Sequence, residues 1–115
     1  MSKRTPRHSQ VQSREELLAR LRAAMPYLRA RYGVRRLALY GSFRRDVPKR
    51  TSDVDLIVDT EHPLGLEFIE MADYLEQLLG RRVDLTTFAC LQRALQHPVK
   101  RRIAETVQRS LLYVE

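Results

Sequence analysis

Leu37–Val58, LALYGSFRRDVPKRTSDVDLIV, is the stretch whose reading decides the fold. It reads as an apolar strand, a Gly41-Ser42 turn, a strongly basic connection and a second strand that opens with Asp53 and Asp55. Side chains alternate faces along a strand, so Asp53 and Asp55 point the same way with Cα atoms roughly 7 Å apart. Two carboxylates held that closely repel each other and have raised pKa values unless cations neutralise them. Carboxylate oxygens suit Mg²⁺, which keeps several waters and shares substrate phosphates. Upstream, backbone N–H groups at a helix start after Gly41-Ser42 can hold those phosphates. Either half alone is an ordinary feature, a turn or a solvated strand entrance. Together they point to a nucleotide–metal site.

Working outward, Arg35–Tyr40 is the first strand, with Leu37 and Leu39 on one face. In the second, Val54, Leu56 and Val58 share a face, and Asp53, Asp55 and Ile57 share the other. Asp59 has the parity of Asp53 but lies roughly 20 Å along the strand, and reads as a strand-end residue. Arg82–Leu85 is a third strand. If Val83 and Leu85 lie against the helices, as Val54 and Leu56 do, Asp84 emerges beside the acid pair. On parity alone Asp84 could equally be an ordinary solvent-facing residue.

The helices have local signals. Ser13-Arg14-Glu15-Glu16 is a capping box in which Ser13 and Glu16 satisfy each other's orphan amides. Leu17, Leu18, Leu21, Ala24, Met25 and Leu28 then follow at helical spacing. Pro26 predicts a kink or two abutting helices, and Gly33 closes the segment. Leu64–Leu79 is a second amphipathic helix, with Phe68, Ile69, Ala72, Leu75 and Leu79 inward and Gly80 as its stop. Thr87–Leu95 is a short helix, and another runs from Pro98 to about Ser110 with Ile103, Val107 and Leu111 as its stripe. The apolar end Leu111–Val114 either packs on the core or meets a partner. Residues 1–12 read as a flexible basic tail, and 13–115 as one domain.

These residues resemble the minimal nucleotidyltransferases of the polymerase-beta-like superfamily. The family's signature is a hydrophobic residue, Gly-Ser, a spacer of this length, then Asp-hydrophobic-Asp-hydrophobic, and the likeness spans roughly Ser13 to Glu115. It implies an α/β (α+β) fold: a small mixed sheet, helices on one face and the site on the open face. It implies metal binding and catalysis by Asp53, Asp55 and Asp84, the last supplying the family's third acid. Nucleotide binding would fall to Gly41, Ser42, Arg45 and Ser52, with two Mg²⁺ ions and ATP as substrate. Arg45 matches the arginine of the family's G-S-x-x-R. Arg44, Asp46 and Val47 depart from the usual small residue, glycine and acid, which bears on how the triphosphate is gripped.

Larger members carry a further domain that positions the acceptor, and no residues are left for one here, so the acceptor is expected on another macromolecule. The family precedent is a HEPN-domain ribonuclease toxin. Its nucleotidyltransferase antitoxin binds it and transfers AMP to a tyrosine hydroxyl. Two other readings compete: an antitoxin that neutralises by binding alone, and a small basic nucleic-acid-binding protein.

The chain has 115 residues and a formal net charge of +7. Its basic residues concentrate in the tail (Lys3, Arg4, Arg7) and in the connection (Arg44, Arg45, Lys49, Arg50), not along a helix. No helix-turn-helix, RNA-recognition or zinc-finger signature accompanies them, so nucleic acid is the weaker partner class. Apolar runs are too short for a membrane span, and no h-region follows the basic N-terminus. The single cysteine, Cys90, excludes an internal disulfide, reads as a small packing residue and points to the cytoplasm. His8, His62 and His97 are scattered without zinc-ligand spacing.

Overall fold

The computed structural model describes residues 9–41 and 53–114. The elements run α1 (Arg14–Tyr32), β1 (Val34–Tyr40), β2 (Val54–Thr60), α2 (Leu66–Leu79), β3 (Val83–Thr87), α3 (Phe88–Leu95), α4 (Arg101–Arg109) and β4 (Leu112–Tyr113). The four strands form one mixed sheet in the order β3-β2-β1-β4. β1 is antiparallel to β2 and to β4, and β2 is parallel to β3. A parallel pair needs a long crossover, and α2 supplies it. None of the described helices is long and apolar enough to cross a membrane.

The period-two pattern sorts the strands onto two apolar layers. Leu37, Leu39, Val54, Leu56 and Val58 pack with Leu17, Leu21 and Leu28 of α1 and Met71, Leu75 and Leu79 of α2. On the other face Ala38 and Ile57 pack with Phe88 and Leu91 of α3 and Ala104 of α4. The large helices therefore lie on one face, as expected. The face carrying the acids is open at the acid end and roofed by α3 and α4 further along.

Local physics explains where the chain departs from its sequence pattern. α1 runs unbroken through Pro26, so of the two expectations, a kink or two abutting helices, the second does not hold. Pro26 and Arg22 are both exposed, so water can satisfy the Arg22 carbonyl that proline leaves without a donor. The capping box is half formed. Ser13 Oγ accepts from the Glu16 N–H at 3.1 Å, but the Glu16 carboxylate accepts from the Gln12 N–H at 2.8 Å instead of from Ser13. Gly33 and Gly80 end α1 and α2 in left-handed conformations, at φ 69° and 66°.

Val11 falls in the stretch expected as tail, yet it is fully buried. Its N–H donates to the Leu79 carbonyl and its own carbonyl accepts from Arg81 Nε at 2.8 Å. In α2 the inward residue is Met71, whereas Ile69, expected inward, is 65% exposed. In α4, Ala104 is buried and Ile103, expected in the stripe, is 72% exposed. Cys90, expected as a packing residue, is exposed. The apolar C-terminal end packs on its own sheet. β4 pairs with Ala38 and Leu39, and the Val114 N–H donates to the Leu37 carbonyl at 2.9 Å. Residues 1–8 of the tail, and the connection from Ser42 to Ser52, lie outside the described residues.

The rotation of α2 can be tested directly. Met71→Ala is expected to lower the unfolding free energy by about 3 kcal/mol through lost burial and a residual cavity. Ile69→Ala should change it by no more than about 0.5 kcal/mol. Urea unfolding of the two variants distinguishes this orientation from the reverse.

Candidate functional site

The site is built where three strands line up on one face. Tyr40, the last residue of β1, lies opposite Asp55 in the antiparallel ladder, and Asp55 lies opposite Asp84 in the parallel one. Register partners project on the same side of a sheet, so phenol, carboxylate and carboxylate form a row across β1, β2 and β3. Three bonds hold that end of the sheet in place. The Val54 N–H donates to the Arg82 carbonyl at 2.8 Å and extends the parallel ladder past the acids. The Val83 N–H donates to the Glu76 carboxylate of α2 at 2.9 Å. The Arg81 bond to Val11 anchors the turn leading into β3.

Of the expected acids, the structure brings Asp55 and Asp84 together as neighbours, with Asp53 exposed at the mouth of β2. Asp55 is half-buried and Asp84 is exposed. Burial first, then the charges of Asp84 and Asp53, push the Asp55 carboxyl up to about 6. Burial, then Asp84 and Asp55, push the Tyr40 phenol up to about 12, so it stays protonated beside the acids. This is a concentration of negative charge without a compensating cation among the described residues that shift it. Among the described residues, no three Asp, Glu, His or Cys side chains gather closely enough to make a complete metal centre. The donor set suits a hard cation that completes its shell with water and with a ligand's own oxygens.

Gly41 adjoins this row at φ 80°, a conformation that side-chain-bearing residues rarely adopt. A Cβ there would collide with Asp55 Oδ2 and sit 3.0 Å from its Cγ. Only glycine lets the backbone come this close to the carboxylate. Ser42, Arg45 and Ser52, the other expected nucleotide contacts, lie outside the described residues. Asp59 is remote from the row and pairs with Arg36 and Arg35 at 3.3 and 3.6 Å, as a strand-end residue should.

Sequence reasoning missed Tyr40 as a member of the site. The signal was present: its parity is opposite to Leu37 and Leu39, which places it on the acid face once those two are buried. It also missed an apolar groove running from Tyr40 and Thr86 under α3 and α4. Strand parity locates one wall of that groove, but the other comes from helices distant in sequence.

The raised Asp55 carboxyl has a consequence for stability. Folded Asp55 holds its proton more tightly than an unfolded aspartate, whose ordinary value is 3.8. Between those two values the folded chain binds more protons, so stability falls as pH rises, and the full cost is present above pH 6 or so. Without divalent cations, Asp55→Asn should therefore stabilise the chain by about 1–2 kcal/mol near pH 7.5, a value discounted for partial solvent screening. The gain should vanish below about pH 3, where aspartate is protonated in both states. Urea unfolding at both pH values checks this.

Comparison with known proteins converges on one assignment. A family profile described as a nucleotidyltransferase domain matches residues 21–110. The chain is 44% identical to the protein adenylyltransferase MntA of Thermococcus cleftensis over 101 residues, covering 87% of this chain and 94% of that one. It is 33% identical over 95 residues to a candidate protein adenylyltransferase of Methanocaldococcus jannaschii, MJ1217, covering 82% and 90%. A solved structure of a candidate minimal nucleotidyltransferase superposes with a TM-score of 0.65 at 35% identity, covering 91% of this chain and 96% of that one. The mixed four-stranded sheet, the acid row beside a glycine turn and these likenesses agree: the chain belongs to the minimal nucleotidyltransferase family and is a nucleotidyltransferase enzyme.

Proposed function

We propose that this enzyme transfers AMP from ATP to a tyrosine hydroxyl of a HEPN-domain ribonuclease toxin, and so acts as the antitoxin in the cytoplasm. The reading is supported by its relatives, which are named protein adenylyltransferases. The observation that carries it is Asp55, held against the Gly41 backbone on one side and in register with Asp84 on the other.

In this reading Asp53, Asp55 and Asp84 would hold Mg²⁺, which when bound would supply positive charge against the triphosphate and the oxygens that gain charge during transfer. Backbone amides from Gly41 onward, with the Ser42 hydroxyl, bind the β- and γ-phosphates, and Arg45 and Ser52 add contacts to the nucleotide. Gly41 keeps the phosphates and Asp55 in close approach because it has no Cβ. Asp84, exposed at the edge of the row, faces the incoming acceptor and takes the hydroxyl proton. The acceptor oxygen bonds to the α-phosphorus as the bond to pyrophosphate breaks in line, and the proton passes from Asp84 to solvent. The Tyr40 phenol, kept protonated, adds no further negative charge to the acid row.

The test uses ATP labelled at the α-phosphate, Mg²⁺, the purified chain and the HEPN protein encoded beside it. Label should appear on the neighbour, and Asp55→Asn or Asp84→Asn should reduce its rate by on the order of a hundredfold or more. Gly41→Ala should have a comparable effect while the chain still folds, since the collision it creates is with the Asp55 side chain. Neutralisation of the toxin by the Asp53→Asn/Asp55→Asn double variant, without label, would overturn the catalytic reading in favour of masking. Tight nucleic-acid binding with a steep salt slope and no effect on the neighbour would overturn both.

A further inference from the structure

The apolar groove beside the acid row has a volume of about 390 Å³. Tyr40 and Thr86 form its sheet wall, Leu91 and Ala94 of α3 one side, and Ile103 and Val107 of α4 the other. Cys90 and Lys100 stand at its edge. Both sheet-wall residues belong to the strands of the site. Tyr40 is the register partner of Asp55, and Thr86 lies two residues beyond Asp84 on the same face. A two-residue step along a strand is roughly 7 Å, so a ligand phosphate at the acids is one sugar's length from the groove.

We propose that this groove receives the ribose and base of the nucleoside triphosphate whose phosphates meet the Asp55–Asp84 row. The inference rests on the nucleotidyl-transfer reading of that row and adds where the nucleoside lies. The lining is what a flat heterocycle requires: apolar walls on both sides and a few polar groups to orient it. The Thr86 hydroxyl and the Lys100 ammonium supply hydrogen bonds for the ribose or the base edge. Ile103, exposed without a ligand, becomes part of the wall that covers the base. A phenol ring from an acceptor protein would leave most of this volume empty and forfeit contacts that a whole nucleoside makes.

Cys90 makes the idea testable, because it is the sole cysteine in the chain, is exposed and lines the groove. The rate of its alkylation by N-ethylmaleimide is measured in the full chain with Mg²⁺ alone, with saturating ATP and with inorganic tripolyphosphate. ATP is expected to slow the reaction about tenfold and tripolyphosphate to leave it unchanged. Ala94→Phe, which fills the groove, and Ile103→Asp, at an exposed position that folding tolerates, should each weaken ATP binding about tenfold without altering tripolyphosphate binding. If ATP binds and Asp55→Asn weakens it, yet Cys90 reacts at the free rate and both groove variants bind ATP normally, the groove assignment is wrong and the acid row stands. Protection of Cys90 by the acceptor protein but not by ATP also overturns it, giving the groove to the acceptor. If neither ATP nor tripolyphosphate binds, the groove and the reading of the acid row fall together.

Discussion

The rest of the structure depends on the parallel register that sets Asp55 opposite Asp84. Because side chains alternate with a period of two, a slip of one residue would turn Asp84 into the core and bring Val83 or Leu85 to the site. That slip is resisted from both ends. Val83 and Leu85 pack against the core that α1 and α2 share with the sheet, and the Val83 N–H is held by the Glu76 carboxylate. The Val54 to Arg82 bond fixes the same alignment from β2. The carboxylates are therefore held close together by apolar burial on the opposite face of the same strands, despite their mutual repulsion.

That repulsion is itself informative. A folded chain that holds a half-buried carboxylate near two others has stored an unfavourable interaction, and Asp55 registers it as a reluctance to ionise. Such arrangements persist where a ligand relieves them. The glycine at Gly41 fits the same logic, since it accepts a left-handed conformation to bring backbone against the carboxylate. Two features, like charges held together and a backbone conformation that only glycine takes readily, meet at one point on a sheet whose other face is ordinary core. This contrast between the two faces marks the functional one.

Several features were legible from local pattern because local physics decides them. Ser13, Gly33 and Gly80 mark helix ends through capping and left-handed geometry. The alternation in β2 and β3 sets which face Asp55 and Asp84 occupy. What pattern could not decide was rotation about a helix axis. In α2, Ile69 and Met71 both fit an apolar stripe, and packing against the sheet selects Met71. In α4 the same choice falls on Ala104 over Ile103, because a small side chain lets the helix approach Ala38 and Ile57 closely. Val11 reads as tail by its neighbours, yet it is buried, with its N–H donating to the Leu79 carbonyl and its carbonyl accepting from the Arg81 side chain. Cys90 reads as packing by its neighbours, yet it is exposed beside the groove, and Arg93 Nη2 donates to its sulfur at 3.3 Å.

By itself, the sequence determined the strand–turn–strand unit and the parity of Asp53 and Asp55, because each follows from spacing along a single segment, and that segment carried the resemblance to the family. The tertiary structure alone decided that Tyr40 joins the row, that α3 and α4 roof part of the site face, and that a groove opens between them. Those outcomes depend on residues far apart in the chain meeting across a sheet. No periodicity within one segment records how another segment packs against it.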